Sequence, residues 1–283
     1  MPDPAPRYTE RMRNTVADAL AAAERRWPVG TAESWDAPGL LVGDPSAELT
    51  RIHLAVDATV AVAEEAVAAG AELLIVHHPL LLRGVTSVAE TGAKGAVIAR
   101  LIRGGCALLA AHTNADIVET GTSAMLAERL GLVETAPIVP SAASGHGLGR
   151  TGRLPEPLTL RALAERLQDV LPATAGGIRA AGDADRIVEH VALCGGAGDS
   201  LLGESAVCAA DVYITSDLRH HPASDARELA LIGSGPALID VSHWASESLW
   251  LNAAAEELRT DLPEVAVTVS RLRTDPWDFT LLP

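Results

Sequence analysis

The stretch "AELLIVHHPLLLRG", residues 71–84, decides how this chain is read. An unbroken apolar run, Leu73 to Val76, ends in two adjacent histidines and a proline, His77, His78 and Pro79. Four apolar residues without alternation are the mark of a strand covered on both faces, as in a parallel sheet flanked by helices. Within a strand, neighbouring side chains point to opposite faces. At the strand's last residue that constraint lapses, and Pro79 turns the chain. Both imidazoles can then approach different points of one cleft.

The pattern repeats outward from this stretch. "IHLAVD" (52–57), "CALLAA" (106–111), "RIVEHVALC" (186–194), "DVYIT" (211–215), "PALIDV" (236–241) and "VAVTVS" (265–270) read as strands. Between them lie helical stretches at 14–26, 60–70, 92–105, 122–132, 158–171, 200–210, 223–231 and about 244–259, several closed by glycine. Residues 35–49 read as loop because Pro38, Gly39, Gly43 and Pro45 punctuate them. Residues 141–157, rich in Gly, Pro and Ser, mark the expected boundary between an N-terminal α/β lobe, 1–140, and a C-terminal α/β lobe, 141–283.

Composition narrows the classes. The chain has 283 residues, 48% of them hydrophobic, enough for a substantial core. Aromatics are only 3%, so Ala, Val and Leu must build that core. Thirty-seven acidic against 22 basic residues give a net charge of −15, which argues against a nucleic-acid groove. Bound cations could still invert the field locally for an anionic substrate. Cys106, Cys194 and Cys208 show no CxxC spacing and sit in apolar stretches, as buried free thiols of a reducing compartment would. The opening residues carry no apolar signal core, and no apolar run approaches a membrane span. The expected location is cytoplasmic.

The polar residues gather where strands end. His77-His78 follows "ELLIV", "HTNAD" (112–116) follows "CALLAA", and "GGAGDS" (195–200) follows "VALC". "SDLRHH" (216–221) follows "DVYIT", and "SHWASE" (242–247) follows "ALIDV". Ligands of open α/β sheets bind beyond the carboxyl ends of the strands. His243 and Glu247 stand four apart, so a helix starting beside them stacks both on one face. With Asp116 the set is three imidazoles and two carboxylates, suited to two ions of Zn, Mn, Fe or Co, with one carboxylate bridging. Each piece alone has a plainer reading: a polar loop, a surface pair, or an Asx turn. Their coincidence at strand ends favours the metal set. His220, His221 and Asp217 are left as candidates for proton transfer. "GGAGDS" fits a phosphate-cradling loop or simple turn geometry equally well. His53, His146 and His190 lack such company and read as structural or surface residues.

The blocks "SWDAPGLLVG", "LLIVHHPLL", "AHTNAD", "GLGRTGRL", "CGGAGDS", "DVYITSDLRHH" and "LIDVSHWASE" run through nearly the whole chain. Together they resemble the NIF3-like (DUF34) family, which includes proteins named GTP cyclohydrolase 1 type 2 homologues. The resemblance implies a dinuclear metal centre on His77, His78, Asp116, His243 and Glu247, with Glu247 as the bridging ligand. It also implies a toroidal homohexamer of two-lobed α/β subunits, here without the extra domain some relatives insert between the lobes. Ser216 and Ser242 stand where the family usually has glycine, a departure that bears on substrate preference more than on metal. Two functions from different classes follow. One is a metal-dependent hydrolase acting on a small molecule, a nucleotide or phosphoester; the family name suggests ring-opening of GTP, although no motif identifies guanine. The other is a non-catalytic metal-binding assembly, a metal-handling or partner-binding scaffold.

Overall fold

The computed structural model of this chain describes residues 13–281 apart from Ser144 and Ser234. Most of the opening stretch that bears on a leader lies outside them. In chain order the strands begin with β1 (Gly39–Val42), β2 (Arg51–Ala55), β3 (Leu73–Val76), β4 (Ala107–Ala110), β5 (Val133–Ala136), β6 (Val139–Pro140) and β7 (Gly147–Leu148). They continue with β8 (Arg150–Thr159), β9 (Arg179–Ala181), β10 (Ile187–Ala197), β11 (Val212–Ser216), β12 (Ala237–Val241) and β13 (Ala266–Val269). The helices are α1 (Val16–Arg26), α2 (Val60–Ala68), α3 (Ala93–Arg103), α4 (Thr113–Asp116) and α5 (Thr122–Leu130). After them come α6 (Leu160–Val170), α7 (Ser205–Cys208), α8 (His220–Leu231), α9 (His243–Ser248) and α10 (Trp250–Asp261).

One sheet has the order β1-β4-β3-β2-β13 and the other β5-β8-β10-β11-β12-β9. The unbroken apolar runs are buried on both faces, as two-sided cover requires. In β3, Leu73 and Ile75 join a core with Trp27 and Trp250, while Leu74 and Val76 join the opposite one with Val62 and Leu101. The second sheet divides likewise: Val212 and Ile214 pack with Leu163 and Leu167 of α6, and Tyr213 packs with Val207 on the other side. Each fully buried Leu, Ile or Val contributes about 1.5–3 kcal/mol relative to exposure, so these four layers hold the strands that present the site.

Several expectations are corrected. Both sheets are mixed: β1 lies antiparallel to β4, β8 antiparallel to β10, and β9 antiparallel to β12. The loop read at 35–49 contains β1, a half-buried edge strand between Gly39 and Gly43. The stretch at 141–157 is not a linker, because β7 and most of β8 lie inside it and β8 pairs with both β10 and β5. The sheets do not divide at residue 140. β5 precedes that point yet belongs to the second sheet, and β13 returns from the end of the chain to pair with β2 in the first. The 200–210 helix shortens to a 3-10 turn at Asp199–Leu201 and the four residues of α7. Cys106 and Cys194 are buried, and burial pushes both thiols up to about 12, but Cys208 is exposed. Among the described residues no helix is long and apolar enough to cross a membrane.

Candidate metal centre

Six parallel strands, three from each sheet, end at one place. β3 delivers His77 and His78, β4 delivers His112 and α4, and β12 delivers Ser242 and α9. β2 leads to Asp57, β11 to Asp217, and β10 to Gly196. The short α9 starts because Ser242 caps it: its hydroxyl accepts from the Ala245 N–H at 3.2 Å and donates to Asp275 at 2.6 Å. The cap stands where the resemblance expected glycine, and it fixes the helix that stacks His243 over Glu247. Ser216, the other departure, is fully buried at the end of β11, 3.4 Å from the Ser246 hydroxyl.

Glu247 lies at the centre, 3% exposed. Its Oε1 is 3.0 Å from His243 Nε2 and 3.5 Å from His77 Nε2; its Oε2 is 3.0 Å from His78 Nε2. His77 Nε2 is also 3.5 Å from Asp116 Oδ1. Two of these atoms, His77 Nε2 and Glu247 Oε2, are buried without a hydrogen-bond partner. An orphaned buried acceptor or donor normally costs about 1–3 kcal/mol, which a structure tolerates where something else is meant to bind.

The other ring nitrogens are all engaged. His78 Nδ1 meets Asp57 Oδ1 at 2.7 Å, and His243 Nδ1 meets Asp217 Oδ2 at 2.7 Å. His77 Nδ1 meets the Ala111 carbonyl at 2.9 Å, and His112 Nδ1 meets Asp36 Oδ1 at 2.8 Å. A carboxylate or carbonyl on one ring nitrogen is the usual means of aiming the other at a metal. Here four rings are held so, with every Nδ1 turned outward and the Nε2 atoms of His78 and His243 only 3.1 Å apart. Two sets of ligand atoms lie close enough to share an ion, His77–His78–His112 and His78–His243–Glu247.

Electrostatics follow from this crowding. Burial works against charge on Glu247, but His78, His77 and His243 outweigh it and hold the carboxyl well below its usual range. Burial likewise disfavours charge on His243, and Glu247 with Asp217 overrides it, raising the pKa to about 10. His78 is raised well above its ordinary value against the same penalty, by Glu247 and Asp57. For His112 burial prevails, and with His77 nearby its pKa falls. The imidazoles and carboxylates of the cluster therefore hold each other in their charged forms.

The structure brings together His77, His78, Asp116, His243 and Glu247. It does not bring in His220 and His221, which open α8 exposed, with their rings meeting edge to face at 5.2 Å. Asp217 belongs to the site, but its carboxylate is spent on His243 Nδ1. It stands in the left-handed region (φ 56), which Asp tolerates and which turns the side chain back over the site. Four contributors were not recognised from sequence. His112 was counted with the strand-end histidines but not as a ligand, and Asp36 and Asp57 appeared only as residues of a loop and a strand end. Gly196, in "GGAGDS", has φ +73, and a Cβ there would lie 2.2 Å from Glu247 Oε1. Close approach to Glu247, rather than a phosphate cradle, accounts for that glycine; the helical turn after it has three residues. "HTNAD" is also a local turn, since Asn114 Oδ1 accepts from the His112 N–H at 2.9 Å. The turn reading of that motif holds, and Asp116 lies beside His77. His53 and His190 are structural: His53 bonds Thr268 and Glu65, and His190 bonds Thr151.

Fold and site define a two-sheet α/β protein with a histidine–carboxylate cluster built at the ends of strands from both sheets. The chain belongs to the Duf34/NIF3 (NGG1p interacting factor 3) family, whose model matches residues 14–276. It is 44% identical over 269 residues to a Streptomyces coelicolor protein named GTP cyclohydrolase 1 type 2 homolog, covering 93% of each chain. A Mycobacterium leprae protein of the same name is 35% identical, covering 95% of this chain and 96% of that one. Its alignment spans 376 positions, more than the 283 residues here, so that relative carries additional sequence. The crystal structure of a Staphylococcus aureus hypothetical protein, 28% identical, superposes with a TM-score of 0.86 over 95% of this chain and all of the other.

Proposed function

We propose that this protein is a metal-dependent hydrolase whose site takes two divalent transition-metal ions and a nucleotide or phosphoester substrate. The observation that carries this reading is the pair of buried atoms that make no hydrogen bond, His77 Nε2 and Glu247 Oε2, amid ring nitrogens already oriented by outer carboxylates. The donor set of imidazoles and carboxylates fits Zn, Mn, Fe or Co better than Ca or Mg. His77, His78, Asp116, His243 and Glu247 would hold the ions, with His112 an added candidate. Bound there, such ions supply Lewis acidity and a water acidic enough to attack at neutral pH. Glu247, reached by three imidazoles, would serve both ions. Asp57 and Asp217 hold a proton of His78 and His243 on Nδ1 and turn each Nε2 toward Glu247.

A cleft of about 980 Å³ opens beside His78 and His243, large enough for a nucleotide-sized molecule. Its walls include Asp57, Asp217, Asp240 and Asp275, set against Lys94 and Arg179. Each of those carboxylates already has a polar partner within the fold. The only lysine of the chain, Lys94, stands at this cleft as a cation for an anionic substrate.

The test is turnover of a nucleotide and phosphoester panel by metal-loaded protein, beside the His78→Ala variant. Turnover by the parent and its loss in the variant support the hydrolase. Tight metal retention with no turnover of any member would reject it in favour of a metal-handling role. The ring-shaped homohexamer is also part of the reading, and light scattering that gave a monomer at micromolar concentration would remove it.

A further inference from the structure

We propose that a second cleft, walled by Arg129, Arg259 and Arg271, is a binding site for an organic phosphate. It has a volume of about 690 Å³ and lies between α5, α10 and the segment after β13. In a chain of net charge −15 it is lined by three arginines and by no aspartate or glutamate. The cleft beside the metal cluster, by contrast, has four aspartates in its walls.

The guanidiniums differ in what occupies them. Arg259 is anchored, donating to Glu256 at 2.6 Å and to the Val267 carbonyl at 2.7 Å, so its direction is fixed. Arg129 and Arg271 have no ion-pair or hydrogen-bond partner among the described residues. The Asn252 side chain, also on the wall, is likewise unengaged. Two free forks and an amide are donors without acceptors, and guanidinium matches a phosphate dianion with paired N–H groups. The rest of the wall sets an apolar surface, from Val56, Leu171, Trp244, Leu249 and Leu272, beside the hydroxyl residues Ser248, Ser270 and Thr274. A bare anion would leave that surface wet, whereas an ester with a ring or short apolar arm would cover it.

The two clefts share a wall. Trp244 and Thr274 line both, Trp244 directly follows His243, and the Thr274 hydroxyl donates to Asp57, the carboxylate that orients His78. A ligand in the arginine cleft would therefore sit one residue behind the metal cluster without touching it.

The test is calorimetric titration of the full chain, stripped of metal and dialysed so that ions in the cluster cannot capture the probe. Phenyl phosphate should saturate one site per chain, and inorganic phosphate should bind several-fold more weakly. Arg129→Ala and Arg271→Ala should each weaken phenyl phosphate about ten-fold or more, the usual effect of losing a hydrogen bond to a charged group. Both side chains are exposed, so thermal melting should stay near the parent's and separate lost binding from lost folding. His78→Ala should bind phenyl phosphate as the parent does, whether or not the protein proves to be a hydrolase. No saturable binding at millimolar probe, or full affinity in the double arginine variant, would overturn the site. Loss of binding in His78→Ala alone would move the anion to the metal cluster. Equal affinity for both probes would overturn the organic part of the assignment.

Discussion

Two histidine pairs stand just beyond the ends of parallel strands, His77-His78 after β3 and His220-His221 after β11, and the fold treats them differently. In the first pair His77 is fully buried, His78 is half-buried, and each Nδ1 is held by an outer oxygen. In the second both rings are exposed and meet only each other among the described contacts. Strand-end position is common to both, so it does not by itself make a ligand. What separates them is the outer partner that fixes the ring, and the burial that leaves the inner nitrogen facing other donors rather than water.

The largest expected effect is on the first pair itself. His78→Ala should remove metal and turnover together, turnover falling by at least about 10³-fold, because an ion's activation of water is lost with its ligand. Retained metal with retained turnover would place the chemistry elsewhere. Next is the outer partner. Asp57→Asn keeps the shape but weakens the anchor on His78 Nδ1, and metal affinity should drop by about 10–100-fold, read by chelator competition. An unchanged affinity would break the distinction between the two pairs at its root. Gly196→Ala should cost about 1–3 kcal/mol in thermal or denaturant unfolding and loosen metal, because φ is positive and the new methyl meets Glu247. The smallest effect should come from the second pair. His221→Ala should leave metal content unchanged and turnover within about two-fold, against the 10²–10⁴-fold expected of a positioned acid or base. A fall of that larger size would restore the proton-transfer role read for this pair from sequence.

The comparison also shows what the sequence could and could not disclose. Apolar runs such as "LLIV" and "VYIT" marked the central strands because two-sided burial removes any need for polar alternation. Residues placed directly after those runs, from His77 to Glu247, were therefore visible as a set. The strands that escaped include β1, β5 and β9, antiparallel edges of three or four residues, and the two-residue β6 and β7, all too short to display a periodic pattern. β8 was hidden under Gly152, Pro155 and Pro157, which signal turns; the two prolines fall where the register with β10 shifts, between Arg153 and Leu158, and beyond the residues that pair with β5. No local pattern could tell that β13 would pair with β2, since that contact joins residues about 215 positions apart. The outer shell was illegible for the same reason. Asp36 reaches His112 across 76 residues and Asp217 reaches His243 across 26, and an aspartate in a loop looks alike whether it meets water or an imidazole.

Whether the buried collar around Glu247 holds metal is decided by elemental analysis of the purified chain beside the Glu247→Ala variant. Close to two transition-metal ions per chain are expected in the parent and loss of both in the variant, because one carboxylate would serve the two positions. A parent that takes up no ion from a metal-supplemented, chelator-free buffer, or a variant that keeps its full content, would contradict it.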